Sequence, residues 1–149
     1  MDYVLNILVL IASFLAMEFV AWNAHKYIMH GFLWRWHKDH HRPDLKTFFQ
    51  KNDYFFLVFA APGITSLVIG LFMSKSMLVM VGAGISIYGM TYFLIHDVFI
   101  HRRLKWLRNS NSKYLKAVRR VHKLHHKNLG KEGGECFGLL WIPLKYFKS

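Results

Sequence analysis

Apolar residues along this chain gather into three long blocks, separated by stretches rich in histidine and basic residues. The blocks are Tyr3–Trp22, Tyr54–Met73 and Met77–Ile95. Each is about 20 residues, the length an α-helix needs to cross roughly 30 Å of hydrocarbon. They hold one acid, Glu18, and no Lys or Arg. The pattern predicts an all-α integral membrane protein with about three transmembrane helices in a single domain over 1–149. A fourth span is left open, although the last apolar stretch, "CFGLLWIPLKYF" (136–147), is too short to cross.

Between the blocks the local signals are specific. The first helix is expected to run past the membrane surface through Met29, with Gly31 as a C-terminal cap residue after His30. "FLWRWHKDHH" (32–41) reads as an interfacial helix with Trp34 and Trp36 at headgroup depth. It stops at "HRPD", where Pro43 biases Arg42 away from helix. Pro62-Gly63 predicts a kink near the middle of the second span. The short link Ser74–Ser76 makes spans two and three an antiparallel hairpin, and span three continues as helix through His96 towards His101. Ser112 is placed to cap a last long helix, Lys113–Lys127, before a "GKEGG" loop (130–134).

Charge changes the picture by its distribution. A formal net charge of +12 would suit a nucleic-acid binder, but no base-stacking or helix-turn-helix pattern accompanies it. Nineteen of the 20 Lys and Arg fall on one side of the predicted spans, leaving Lys75 alone in the hairpin turn. By the positive-inside rule the N-terminus and Lys75 lie outside and the rest in the cytoplasm. The first block begins Met-Asp without a basic n-region or a following cleavage site, so it reads as a retained span. Cys136 is the one cysteine, which excludes an intramolecular disulfide and a multi-thiolate metal site.

The chemistry lies in the histidines. All ten fall in one pattern read twice, H-x4-H then H-x2-H-H: His25, His30, His37, His40, His41, and then His96, His101, His122, His125, His126. Residues three and four apart share a helix face, so each H-x2-H-H set can point at one volume. The H-x4-H pairs are about 140° apart on an α-helix. They either flank a metal pair or require the helix to loosen at His30 and His101. All four motifs sit at the cytoplasmic ends of spans one and three. Neutral imidazole suits zinc, copper, iron and nickel, and ten ligands exceed one coordination sphere, so two metals with four or five nitrogens each is the economical count.

Four H-x4-H and H-x2-H-H motifs on a small three- or four-span protein resemble the membrane fatty acid hydroxylase and desaturase superfamily. Within it, "MEFVAWNAHKYIMHG", "WHKDHHRP", "HDVFIH" and "HKLHHK…GKEGGECFGLLW" are similar to the bacterial carotenoid ring hydroxylases, over about Met17 to Trp141. The resemblance implies a non-haem di-iron monooxygenase with the ten histidines as iron ligands. It would use O2 and two electrons from ferredoxin to hydroxylate C3 of each β-ionone ring of a carotenoid, giving cryptoxanthin and then zeaxanthin. Imidazole counting alone leaves zinc open in a purified sample.

Other residues carry weaker signals. Glu18 lies one heptad before His25, on nearly the same face, and Asp97 is beside His96; both are candidates to hydrogen-bond a ligand histidine. For Glu18 a bond to a polar group on a neighbouring helix is the alternative, and for Asp97 solvation on the helix surface. Gly82, Ser86, Gly89, Phe93 and His96 form one stripe, read as close helix packing or as a groove for a polyene. On Lys113–Lys127, Tyr114, Val118, Val121, His122 and His125 share one face. Lys116, Arg119, Arg120, Lys123 and Lys127 occupy the other, suited to anionic lipid headgroups or an acidic ferredoxin. Oxidation of another lipid (sterol, fatty acyl chain or alkane) and non-catalytic metal binding are the competing functions.

Overall fold

The computed structural model describes residues 3–42, 47–106 and 109–147; the expected stop at Pro43 lies outside them. All regular structure among these residues is helical: α1 (Tyr3–Asn23), α2 (Trp34–His41), α3 (Tyr54–Phe72), α4 (Ser76–Tyr92) and α5 (Lys113–Lys127). Three helical stretches, Tyr3–Phe32, Lys51–Phe72 and Ser76–Ile100, are long and apolar enough to cross a membrane. The first holds 30 residues, about 45 Å at α-helical rise, so it overshoots the hydrocarbon and carries its end into the histidine region.

The overshoot of spans one and three is not α-helical. Both α1 and α4 widen into π-helix, over Ala24–Phe32 and Phe93–Ile100. The Leu33 amide donates to the Ile28 carbonyl at 3.0 Å and the His101 amide to the His96 carbonyl at 2.9 Å, both five residues apart. This resolves the H-x4-H spacing, because i→i+5 bonding returns residues five apart to nearly one face. The first segment kinks at Gly31 (φ −100°, ψ −123°). The glycine expected as a C-terminal cap residue is thus a kink inside the segment, which Leu33 caps.

Helix α4 is the central member, packed on α3 on one side and α1 on the other. Two glycines two residues apart make this possible. A Cβ at Gly82 would stand 2.6 Å from the Leu67 amide nitrogen and 2.7 Å from the Gly63 carbonyl; one at Gly84 would meet the Leu10 carbonyl at 2.6 Å. Without an aqueous phase to drive association, helices in lipid gain from such close backbone approach. The expected stripe therefore divides: Gly82 packs against α3, while a Cβ at Gly89 would meet nothing within 4 Å. Gly84→Ala is expected to weaken the α1–α4 contact by about 1–3 kcal/mol and lower the thermal midpoint of the detergent-solubilised protein. Gly89→Ala should leave that midpoint unchanged, and equal effects would contradict this packing.

Pro62 sits inside a continuous α3. The hairpin turn is a Schellman-type stop: the Lys75 amide donates to the Gly70 carbonyl at 2.8 Å and the Ser74 amide to Leu71 at 3.3 Å. Ser74 takes the left-handed position at φ 52°. Beyond the spans, Ser112 caps α5 by accepting from the Leu115 amide. Ala117, Val118 and Val121 of α5 pack on Phe99, Ile100, Leu139 and Ile142, forming the core that closes the histidine end.

Candidate metal centre

The ten histidines converge at that end in two clusters. His25, His30, His37, His41 and His125 offer nitrogens that all lie within 4.8 Å of one another, as do those of His40, His101, His122 and His126. His96 abuts the second group, its Nε2 3.1 Å from that of His40. Each H-x2-H-H set was expected to serve one volume, but each is divided. His37 and His41 turn to the first cluster and His40 to the second; His122 and His126 turn to the second and His125 to the first. Helix geometry explains this, since neighbours four apart differ by about 40° while adjacent residues differ by about 100°. A helix lying between two sites therefore feeds both. The middle histidine of each set crosses over, giving each cluster five imidazoles with equivalent origins.

The first cluster is built so that every ring presents a lone pair inwards. The Nδ1 of His25 bonds the Phe137 carbonyl (2.9 Å), that of His30 Lys131 (3.0 Å), that of His41 Asn128 (2.9 Å) and that of His125 Glu135 (2.8 Å). His37 Nδ1 meets the Asn52 side-chain oxygen at 2.6 Å. Carbonyl oxygens only accept, so each Nδ1 carries the proton and each Nε2 is unprotonated in the neutral ring. The Nε2 atoms then face one another at 3.1–3.2 Å with no proton to share. Such an arrangement is repulsive unless a cation occupies the centre, so the donor set fits a metal ion.

The second cluster is more varied. His40 Nδ1 bonds the Gln50 side-chain oxygen at 3.0 Å, and His96 Nδ1 meets Asp97 at 3.3 Å. The His126 Nε2 is buried without a hydrogen-bond partner, as a metal-directed nitrogen would be. Burial opposes protonation of the rings beyond the spans: His37 and His101 are lowered to about 2, His125 to about 3 and His41 to about 4, with desolvation the largest cause in each. Burial pushes His40 and His122 down as well, reinforced by neighbouring imidazoles. Neutral rings are the ligand form.

Several contributors were not evident from the sequence. The loop containing "GKEGG" supplies carbonyls to the histidines, and Cys136 adopts φ 59° between two of them, those of Glu135 and Phe137. Arg103 donates to both oxygens of Asp53 at 2.7 Å, to Asp97 at 2.9 Å and to the Phe48 carbonyl at 2.6 Å. A Gln50–Asp53 capping box places the oxygen that receives His40. Trp34 also walls the first cluster, 5.0 Å from the His30 ring and 5.3 Å from His41.

The other expectations divide. Asp97 does reach His96. Glu18 does not bond a histidine; it accepts from Tyr88 and from three backbone amides, closer to the alternative of a polar partner on a neighbouring helix. On α5, Arg119 leaves the basic face: its guanidinium lies 3.8 Å from the Phe99 ring centroid and donates to the Phe99 carbonyl. Lys116, Lys123 and Lys127 remain exposed.

Comparison with known proteins places these features in a lineage. The fatty acid hydroxylase family model matches residues 10–144. A protein of Pantoea ananas named beta-carotene hydroxylase is 40% identical over 96% of this chain and 81% of its own length. One of Pseudescherichia vulneris with the same name is 40% identical over 91% of this chain and 76% of its length. The chloroplastic beta-carotene hydroxylase 2 of Capsicum annuum is 35% identical over 89% of this chain but 43% of its own length. No solved structure matches.

Proposed function

The chain belongs to the fatty acid hydroxylase family, and from that premise we propose that it hydroxylates carotenoid β-ionone rings at C3, taking β-carotene to β-cryptoxanthin and then zeaxanthin. The observation that carries the metal site is the convergence of unprotonated Nε2 atoms, with every Nδ1 of the first cluster committed to an oxygen. The names of the relatives support the substrate. The ten histidines are the proposed ligands of two iron ions.

Two bound irons would activate O2 to attack an unactivated ring C–H bond, which no acid–base side chain can break. One oxygen atom enters the C–OH group; the other leaves as water with two protons and two electrons. The protein's part is to gather ten imidazoles and to fix the rings by hydrogen bonds. Carbonyls of the 128–137 loop hold His25, His30, His41 and His125; Asn52, Gln50 and Asp97 hold His37, His40 and His96. Trp34 and Phe137 wall the first cluster with apolar rings, restricting water there. The site lies at the end of apolar spans, so a β-carotene ring can reach it while the polyene stays in the bilayer.

The charge asymmetry supports a histidine site on the cytoplasmic side of a bacterial inner membrane. The exposed Lys116, Lys123 and Lys127 suit an acidic ferredoxin as electron donor. Expression in cells that accumulate β-carotene, followed by pigment chromatography, tests the reading. Conversion to mono- and dihydroxylated pigments is expected. Unchanged β-carotene beside metal-loaded protein would contradict the substrate assignment.

A further inference from the structure

Glu18 is the one acid in the three apolar blocks, and its hydrogen bonds explain its presence. One carboxylate oxygen, Oε1, accepts from three consecutive backbone amides, Leu139 (2.9 Å), Leu140 (2.8 Å) and Trp141 (3.1 Å). The other, Oε2, accepts from the Tyr88 hydroxyl at 2.8 Å. These contacts fix the depth of the C-terminal segment from two helices independently. Glu18 precedes His25 by seven residues, about 10 Å back towards the membrane interior, and Tyr88 precedes His96 by eight, about 12 Å. The polar boundary of this first span falls at the level of His25, beyond Glu18: Lys26 Nζ sits 4.9 Å from the Trp22 ring and 5.0 Å from Tyr27. An aromatic and basic group of this kind marks an interface. Glu18 is one helical turn deeper than Trp22.

Residues 138–143 are not helical. Hydrocarbon offers no hydrogen bonds, so irregular backbone is tolerated there only where protein groups satisfy it. Several backbone groups of the segment are satisfied in this way. Glu18 takes three amides, Tyr114 donates to the Leu140 carbonyl at 2.7 Å, and Pro143 has no N–H to satisfy. Leu139 and Ile142 are buried against α5, whereas Trp141 and Leu144 are 84% and 85% exposed. Two large apolar side chains are thus exposed on a segment whose backbone is bonded to α1 at Glu18.

We propose that Gly138–Leu144 is a re-entrant segment in the bilayer, with Trp141 and Leu144 against lipid acyl chains. Glu18 is the positioning residue that accepts three of its consecutive amides. The segment follows directly on Phe137, whose carbonyl holds His25, so its seating also places one wall of the first cluster. The proposal does not depend on the reaction catalysed.

The test uses full-length protein in lipid vesicles of phosphatidylcholine and phosphatidylglycerol. With Cys136→Ser as background, nitroxide spin labels are placed at Trp141→Cys or Leu144→Cys. References are Leu15→Cys on the lipid face of α1 and Lys123→Cys on exposed α5. Collisions are measured with O2, which concentrates in lipid, and with a neutral nickel chelate, which stays in water. Labels at 141 and 144 are expected to match Leu15, with an O2-to-nickel ratio several-fold above that of Lys123. Nickel access equal to Lys123 would put the segment in water and overturn the proposal. Low access to both reagents would mean that protein, such as a second copy of the chain, covers it, and would overturn the lipid assignment. Glu18→Ala should raise nickel access at 141 towards the Lys123 value, while Glu18→Gln, which keeps an accepting oxygen, should stay near wild type. Unchanged access in Glu18→Ala would remove Glu18 from the account. If Glu18→Ala does not fold, nickel access in Glu18→Gln and the readings with Glu18 intact still decide the segment's location.

Discussion

His37→Ala is expected to abolish ring hydroxylation and to lower the metal content from about two ions per chain to about one. His37 is 1% exposed, and its Nε2 lies 3.1 Å from the Nε2 atoms of both His25 and His41. Its removal takes out a ligand that touches two others and leaves the remaining lone pairs without a complete coordination sphere. The second cluster uses none of its atoms, so the other ion should stay. Asn52→Leu supplies the graded comparison. It keeps the His37 ring but removes the oxygen that holds Nδ1–H, and losses of this kind cost about 10–100-fold in activity or affinity. Pigment chromatography with elemental analysis checks both variants. Full activity in His37→Ala would exclude it as a ligand.

The second large effect is expected at Arg103. Its guanidinium joins Asp53 and Asp97, and the three side chains are only 18%, 27% and 15% exposed. Arg103→Met would leave two carboxylates in a poorly hydrated place without their counter-charge. Breaking a buried pair from one side costs about 3–5 kcal/mol, and partial exposure here puts the expected loss near the lower end. The consequence should be local as well as global. Asp97 is the partner of His96, and Asp53 closes the capping box that sets Gln50 on His40. These two histidines face each other in the second cluster. Arg103→Met should therefore lower the unfolding midpoint and release metal preferentially from the second site. Arg103→Lys should rescue little, since an ammonium cannot reproduce the planar fork that reaches both acids and the Phe48 carbonyl. Wild-type metal retention in both variants would contradict the link.

Much of the architecture is written in apolar run length, because the bilayer sets one strict requirement that three blocks satisfy. The histidine pattern likewise indicates two metal-sized groups before any coordinates. What it does not convey is the crossing of His40 and His125, because a shared helix face is a statement about one helix and not about what lies on either side. Spacing left H-x4-H with two resolutions, and the π-helical turns select one. The carbonyl loop was legible only as a glycine-rich turn, since a backbone acceptor leaves no mark in side-chain identity. Arg119 counts as a surface charge by periodicity, yet Phe99 claims it, a contact between elements 20 residues apart. Trp34 shows the same limit: an aromatic near an interface and an aromatic against imidazoles read alike.

The most direct measurement is the metal content of the purified protein after anaerobic reconstitution with ferrous iron and removal of loosely bound ions, read by elemental mass spectrometry against quantitative amino-acid analysis. Ten imidazoles in two five-membered clusters predict about two irons per chain, falling to about one in His37→Ala and, separately, in His122→Ala. A single tightly held ion in the wild-type protein, or loss of both ions from either variant alone, would contradict two independent sites.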